Sequence, residues 1–240
     1  MRITKFMLAM SLVFGVTGIA GAQEVKDKEA IDNITKFVTE NKSKIKGIYE
    51  TGIPDFYEVV IEPAEVIYLN KNTTKLFLNG SLLDVEKQIN MTEERKEKAL
   101  AFDYKELPKT GFIEFGKGKK EIAVFADPNC GYCKSFEKVL DTQKDIKVKL
   151  YPIAILSPSS LELNRNIMCS TNPQKSWRDW MINGIKPEKA KECKNNGDAN
   201  TDFSRSKVIQ STPTTIFKNG TRKSGLMDAE MLKKELELRK

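Results

Sequence analysis

The chain has no histidine among its 240 residues. That absence excludes a Ser-His or Cys-His catalytic pair, an imidazole metal ligand and a histidine-ligated haem. Long apolar runs are scarce too. One stretch, from Phe6 to about Ala20, is short for a membrane span and is broken by Ser11, Gly15, Thr17 and Gly18. Arg2 and Lys5 flank it on one side and Ala20-Gly21-Ala22 on the other. That is the pattern of a cleaved secretory signal over residues 1–22, with a soluble mature chain expected to start at Gln23. Charge of a single sign is also lacking, since 40 Lys plus Arg face 33 Asp plus Glu for a net +7. Loss of the leader, which carries two basic residues and no acidic one, lowers that figure by two. Basic and acidic residues alternate, as in Glu93, Glu94, Arg95, Lys96, Glu97 and Lys98. Such mixing describes a solvated helix face, so no nucleic-acid partner is expected.

Cysteine is sparse but placed to matter. The four stand at 130, 133, 169 and 193, all beyond the leader. Export puts them where disulfides persist. An even count suggests two pairs, although four cysteines allow three pairings. Cys130 and Cys133 lie in F-A-D-P-N-C-G-Y-C-K-S-F, with a strand pattern running in and a helical pattern running out. Cysteines at i and i+3 share one face of a helical turn, close enough to form a disulfide. The first would sit at the helix N-terminus, where free N–H groups and the helix dipole favour a thiolate, the nucleophilic form. The bland alternatives are a structural staple in a tight turn and half of a zinc site. The strand-to-helix position argues against the staple. The long gap between 169 and 193 and the missing histidines argue against zinc, so no metal is expected.

The rest of the chain reads as two units. Ile31, Ile34, Phe37, Val38 and Ile45 keep one helical face, which predicts an amphipathic helix over 28–48. Short strands are predicted at Tyr57–Glu62, Glu65–Asn70 and Lys75–Asn79, divided by Pro63 and by Lys71-Asn72-Thr73-Thr74. Val66, Tyr68, Leu76 and Leu78 are its expected core or sheet residues. From Met91 to about Phe102 the charged residues are good helix formers, with Asn90 as a cap, and Pro108 and Gly111 close the segment. A helix without a wide apolar face suits a spacer between domains. Strands follow at Phe112–Phe115 and Glu121–Ala126, then the cysteine helix to about Leu140 and a strand within Ile146–Ile155. Residues 157–210 are helical and polar. Thr214–Lys218, the turn signal Asn219-Gly220 and Thr221–Ser224 make a hairpin, and Met227–Arg239 a last helix. This is a thioredoxin-like order with a helical insertion, so the fold class is α+β. The expected domains are 23–90, a linker helix at 91–108, and 109–240.

With these motifs the chain resembles the bacterial periplasmic protein-disulfide isomerases known as DsbC, with the related DsbG close behind. The resemblance rests on FADPNCGYC at 125–133, on Ser211-Thr212-Pro213 before a strand, on the cysteine pair 169/193, and more loosely on GIPDFYEV and VIYLN in the first unit. Gly131-Tyr132 is the dipeptide typical of DsbC, whereas Phe125-Ala126-Asp127-Pro128 looks DsbG-like. Two positions depart from pattern. Lys134 follows the second cysteine where well-known members carry histidine, and Val124 stands six before Cys130 where thioredoxin has a buried acid. The resemblance leaves Cys133 without a named proton acceptor.

The resemblance implies a fold, a chemistry and partners. The first unit would be a small cystatin-like dimerisation domain, with an edge strand near Lys75–Gly80 pairing with its copy to give a homodimer. Cys130 and Cys133 would be catalytic. Pro213 would be a cis-proline that sets the Thr212 backbone beside Cys130, and Tyr132, Thr212 and Pro213 would meet substrate. Cys169–Cys193 would be a structural disulfide; closing that loop contributes roughly 3 kcal/mol in the chain-entropy treatment. The expected function is reduction and isomerisation of incorrect disulfides in misfolded exported proteins in the periplasm, with chaperone-like binding. No organic cofactor is required, and a DsbD-like membrane thiol reductase would supply electrons. Rival readings are a disulfide oxidase, a DsbG-like reductase guarding single thiols, and a binding protein with incidental cysteines. Asp127 is read as a strand end or turn cap.

Overall fold

The computed structural model describes residues 23–191, 193 and 197–239. The leader expected at 1–22 lies outside them. In the first unit, Asp27 caps helix α1 (Lys28–Glu40) by accepting from the Ala30 N–H at 3.2 Å. Ala30, Ile34 and Val38, four residues apart, form its buried stripe. The helix stops earlier than the apolar spacing suggested. Asn41 caps its end and Lys42 takes a left-handed φ of 59°. Ile45 then opens strand β1 (Ile45–Glu50), pairing opposite Ile61, so sheet pairing overrides the helical pattern there.

Strands β2 (Phe56–Ile61), β3 (Glu65–Asn70) and β4 (Leu76–Phe77) complete an antiparallel sheet ordered β1-β2-β3-β4. Its α1 face buries Tyr57, Val59, Ile61, Ile67 and Leu69, the alternate residues that a two-residue period dictates. Val66 and Tyr68 are buried on the other face and Leu76 lies in the sheet, as expected of core or sheet residues, while Leu78 falls in neither; Leu76 and Leu78 are both exposed. Leu76 lies in the last strand and Leu78 directly after it, on an edge that has no neighbouring strand among the described residues. A two-stranded ribbon of β5 (Leu83–Asp84) and β6 (Ile89–Asn90) follows, which the sequence pattern did not suggest.

Helix α2 (Met91–Ala99) is capped by the Asn90 side chain and ends three residues short of the expected Phe102. It is no bare spacer. Thr92 and Glu97 are buried, and Arg95 Nε donates at 2.6 Å to Glu58 Oε1, a carboxyl buried in the middle of β2. Burial pushes Glu58 above the ordinary carboxylate range even with Arg95 beside it. Toward the second unit, Glu97 receives Lys223 at 3.0 Å and Arg239 at 2.9 Å. The buried Arg222 guanidinium donates to the Leu100 carbonyl, and the Phe102 N–H to that of Gly220 at 3.2 Å. Gly220 has φ +82°, and a Cβ there would stand 2.1 Å from the Phe102 oxygen, so the turn requires glycine.

The second unit has a five-stranded sheet. It comprises β7 (Ile113–Phe115), β8 (Lys120–Ala126), β9 (Ile146–Pro152), β10 (Thr214–Ile216) and β11 (Arg222–Ser224), in the order β11-β10-β8-β9-β7. Only β8 and β9 run parallel, joined by the crossover helix α3 (Gly131–Thr142). Helices α4 (Pro158–Met168), α5 (Pro173–Asn183) and α6 (Gly197–Ser206) form the insertion, and α7 (Ala229–Leu238) ends the fold. Alternate residues of β8 feed two cores. Ile122, Val124 and Ala126 pack with Phe136, Leu140, Trp177, Met181 and Leu232. Ala123 and Phe125 pack on the other face with Tyr151, Ile153 and Ile216. Both sheet faces are therefore covered, and the C-terminal end of β8 is held rigidly where the cysteines begin.

Candidate functional site

The site starts where β8 ends. Asp127, fully buried, accepts from the N–H groups of Asn129 (2.9 Å), Ile155 (2.9 Å) and Leu156 (3.1 Å) and from the Ser160 hydroxyl (2.7 Å). It ends the strand, as its sequence position suggested, and it also ties the loop to the segment after β9 and to α4. Asn129 Nδ2 adds contacts of 2.9–3.0 Å with the hydroxyls of Ser157, Ser159 and Ser160. These donors and acceptors are far apart in sequence, so only the fold makes them a cluster.

Cys130 is the N-cap of α3. Its sulfur accepts from the Cys133 N–H at 3.2 Å, the place of a capping side-chain oxygen. The same thiol donates to the Thr212 carbonyl at 3.2 Å, across a separation of 82 residues. The Thr212–Pro213 peptide is cis. The Gly225 N–H donates to the Pro213 carbonyl at 2.8 Å, which fixes the loop to the strand beside it. The fold thus brings Cys130, Cys133, Thr212 and Pro213 together. Tyr132 projects from the first turn of α3, 68% exposed. Cys133 points inward, and burial pushes its thiol well above the ordinary range, with the adjacent Cys130 sulfur adding to the effect. Cys169 and Cys193 are disulfide-bonded to each other, Cα atoms 5.8 Å apart, at the end of α4 and beyond α5. Among the described residues no cluster of three or more potential ligands for a metal ion occurs.

Three supports escaped sequence reasoning. Trp180 on α5 donates to the Pro128 carbonyl at 2.7 Å, and Lys134 places its ammonium 4.2 Å from the Trp180 ring centre. The lysine that departs from the family pattern is thus seated as a cation on an aromatic face. Glu137, 2% exposed, accepts from Trp177 Nε1 at 3.2 Å. Burial raises its carboxyl to about 7, while Trp177 and Arg178 oppose the shift. The only signal in the sequence was the spacing of Glu137 four residues after Cys133, which alone does not separate a buried carboxylate from a solvated one.

A paired-cysteine N-cap facing a cis-proline loop on a mixed sheet defines a thioredoxin-like site. Residues 115–240 match the thioredoxin-like domain family, and residues 20–93 match the disulfide bond isomerase protein N-terminal domain. The chain belongs to the thioredoxin-like domain family, and its first unit matches the disulfide bond isomerase protein N-terminal domain. It is 34% identical over 174 residues to a probable thiol:disulfide interchange protein DsbC of Bordetella pertussis, and 31% identical to that of Bordetella avium. Each alignment covers 72% of this chain and 62% of the relative's length. Among solved structures, the disulfide interchange protein from Neisseria gonorrhoeae superposes with a TM-score of 0.51 at 28% identity, covering 54% of this chain and 95% of that one.

Proposed function

We propose that this chain is a periplasmic thiol:disulfide interchange enzyme that reduces and isomerises incorrect disulfides in exported proteins. The observation that carries the reading is the Cys130 thiol at the N-cap of α3, within hydrogen-bond distance of the Cys133 N–H and the Thr212 carbonyl. The N–H groups of the first turn stabilise a thiolate there. The thiolate attacks one sulfur of a substrate disulfide, forming a mixed disulfide and expelling the other sulfur as a thiolate. A second substrate thiolate then attacks the mixed disulfide and regenerates Cys130, which is isomerisation. Alternatively Cys133 attacks Cys130, the substrate leaves reduced, and the pair is left oxidised. In that second route a membrane thiol reductase returns two electrons and two protons. In this reading Tyr132, Thr212 and Pro213 line the path of an extended substrate segment, and Cys169–Cys193 is structural.

The domain limits proposed are 23–90, 91–108 and 109–240, with the first unit as a dimerisation domain. Supporting this is the free edge of β4, where Leu76, Phe77 and Leu78 are all exposed, Phe77 by 60%. An open strand edge with apolar side chains is a template for pairing with a second copy. The test is reshuffling of a scrambled, disulfide-rich protein by the full chain. Cys130→Ser is expected to abolish it; undiminished activity in that variant would leave only a binding protein with incidental cysteines.

A further inference from the structure

Along the chain the charges are mixed, but the fold sorts some of them. Two loops meet at the end of the second sheet that lies away from the cysteines. One, residues 116–119, joins β7 to β8, and the other, residues 143–145, joins α3 to β9. The Gly118 N–H donates to the Ile146 carbonyl at 3.0 Å, and the Lys120 N–H to that of Asp145 at 3.2 Å. A Cβ on Gly118 would stand 1.9 Å from the Asp145 carbonyl carbon, so only glycine lets the loops press together. The contact seats Lys117, Lys119 and Lys144 at the tip, all exposed. Among the described residues no carboxylate lies within ion-pair distance of any of these three. The nearby carboxylates are taken up by other cations. Asp145 faces Lys120 at 3.9 Å, and Glu114 pairs with Lys147 at 3.0 Å. Glu121 draws Lys149 at 3.1 Å and Lys218 at 2.7 Å, and Asp141 at the end of α3 is engaged by Arg178. The surplus left at the tip is therefore positive.

We infer that this lysine tip is a docking surface for a membrane leaflet rich in anionic lipid headgroups. Its composition favours a lipid surface over an acidic protein. The cations of the two loops are all Lys, hydrated point charges without the planar fork with which Arg grips a carboxylate. The loops read Gly-Lys-Gly-Lys and Gln-Lys-Asp, with no aromatic or aliphatic side chain to anchor a partner. Protein interfaces are depleted in Lys and built around such anchors. A headgroup layer requires only positive charge spread over a surface, and each lysine held near it strengthens binding roughly fivefold. The geometry fits as well. β8 starts beside the tip and runs seven residues toward Cys130, so the thiol stands more than about 20 Å from the leaflet. Docked in this way, the chain is confined to the bilayer surface while the cysteine pair and the cis-proline loop stay open to solvent. The inference is independent of what the thiols do.

The test is co-sedimentation of the mature full chain, Gln23 to Lys240, with phosphatidylcholine vesicles that contain about a quarter phosphatidylglycerol. The chain should sediment with them at about 20 mM salt and be released at about 500 mM salt. It should stay in solution with vesicles of phosphatidylcholine alone. Lys117→Gln, Lys119→Gln and Lys144→Gln together should weaken binding roughly a hundredfold. Lys26→Gln, Lys28→Gln and Lys36→Gln together remove the same charge from exposed positions on the first unit. That second set should weaken binding by less than about threefold, because those lysines lie beyond the screening length from the docked surface. Equal losses in the two variants would mean that net charge, not the tip, drives binding, and would overturn the assignment. Failure of the unmutated chain to bind the anionic vesicles overturns it too. Binding of soluble polyglutamate without binding of vesicles would make the tip a site for an acidic protein and likewise overturn it.

Discussion

The two units bury their sheets differently. In the second, helices cover both faces of five strands, and every residue from Ile122 to Ala126 is enclosed in one core or the other. In the first, α1 covers one face with aliphatic side chains, the other face meets α2 through Arg95, Glu58, Thr92 and Tyr68, and the β4 edge is left open. The enclosed unit can hold a thiol, a carbonyl and a buried carboxylate in fixed register. The open unit is suited to association, where an uncovered edge is useful and an exact core is less needed.

Arg95→Met should have the largest effect on stability. It strands the fully buried Glu58 without its partner and should destabilise the first unit by about 3–5 kcal/mol in chemical denaturation. Thiol attack by Cys130 should be unchanged in the protein that remains folded; a coupled loss would erase the contrast between the units. Cys169→Ser should cost roughly 3 kcal/mol, because the bond closes a separation of 24 residues. It should also spare Cys130 alkylation, and loss of alkylation in a folded variant would defeat the structural assignment. The enclosed unit should also betray Glu137 in its pH dependence. Its folded pKa, about 7, lies above its unfolded value of 4.5. The stability it contributes is therefore full below about pH 4.5 and is lost as pH rises through about 7. Relative to the unmutated chain, Glu137→Gln should gain up to about 3 kcal/mol between pH 4 and pH 8; parallel stability curves would contradict this. Phe77→Lys should be the mildest for the fold, within about 0.5 kcal/mol. By sedimentation it should nonetheless shift the chain from dimer to monomer, and an unchanged mass would remove β4 from the interface.

How much could be read beforehand follows the same division. The alternation of Ile122, Val124 and Ala126 and the amphipathic run after Cys133 are short-range patterns, and β8 and α3 fall within a residue or two of where they were expected. Ile45 misled because it fits both the helical face of Ile34 and Val38 and a strand opposite Ile61; only the partner strand decides. Leu76, read as a core or sheet residue, is a sheet residue of β4, whereas Leu78 is exposed just beyond that strand, because burial depends on a neighbour the sheet does not provide there. Of the site, the cysteines and Thr212-Pro213 were visible as motifs. Trp180 under Lys134, the serines around Asn129 and the burial of Glu137 were not, because each depends on α4 and α5 folding back onto the loop.

The seam between the units is made of charges and carbonyls: Glu97 with Lys223 and Arg239, and Arg222 with the Leu100 oxygen. Open grooves of about 520 and 430 Å³ run beside it. A joint of this kind uncovers little oily surface when it parts, and water can solvate each released group. Because Glu97 and Arg222 are buried, salt screens these contacts little, and the brace between the two units holds in dilute and concentrated salt alike.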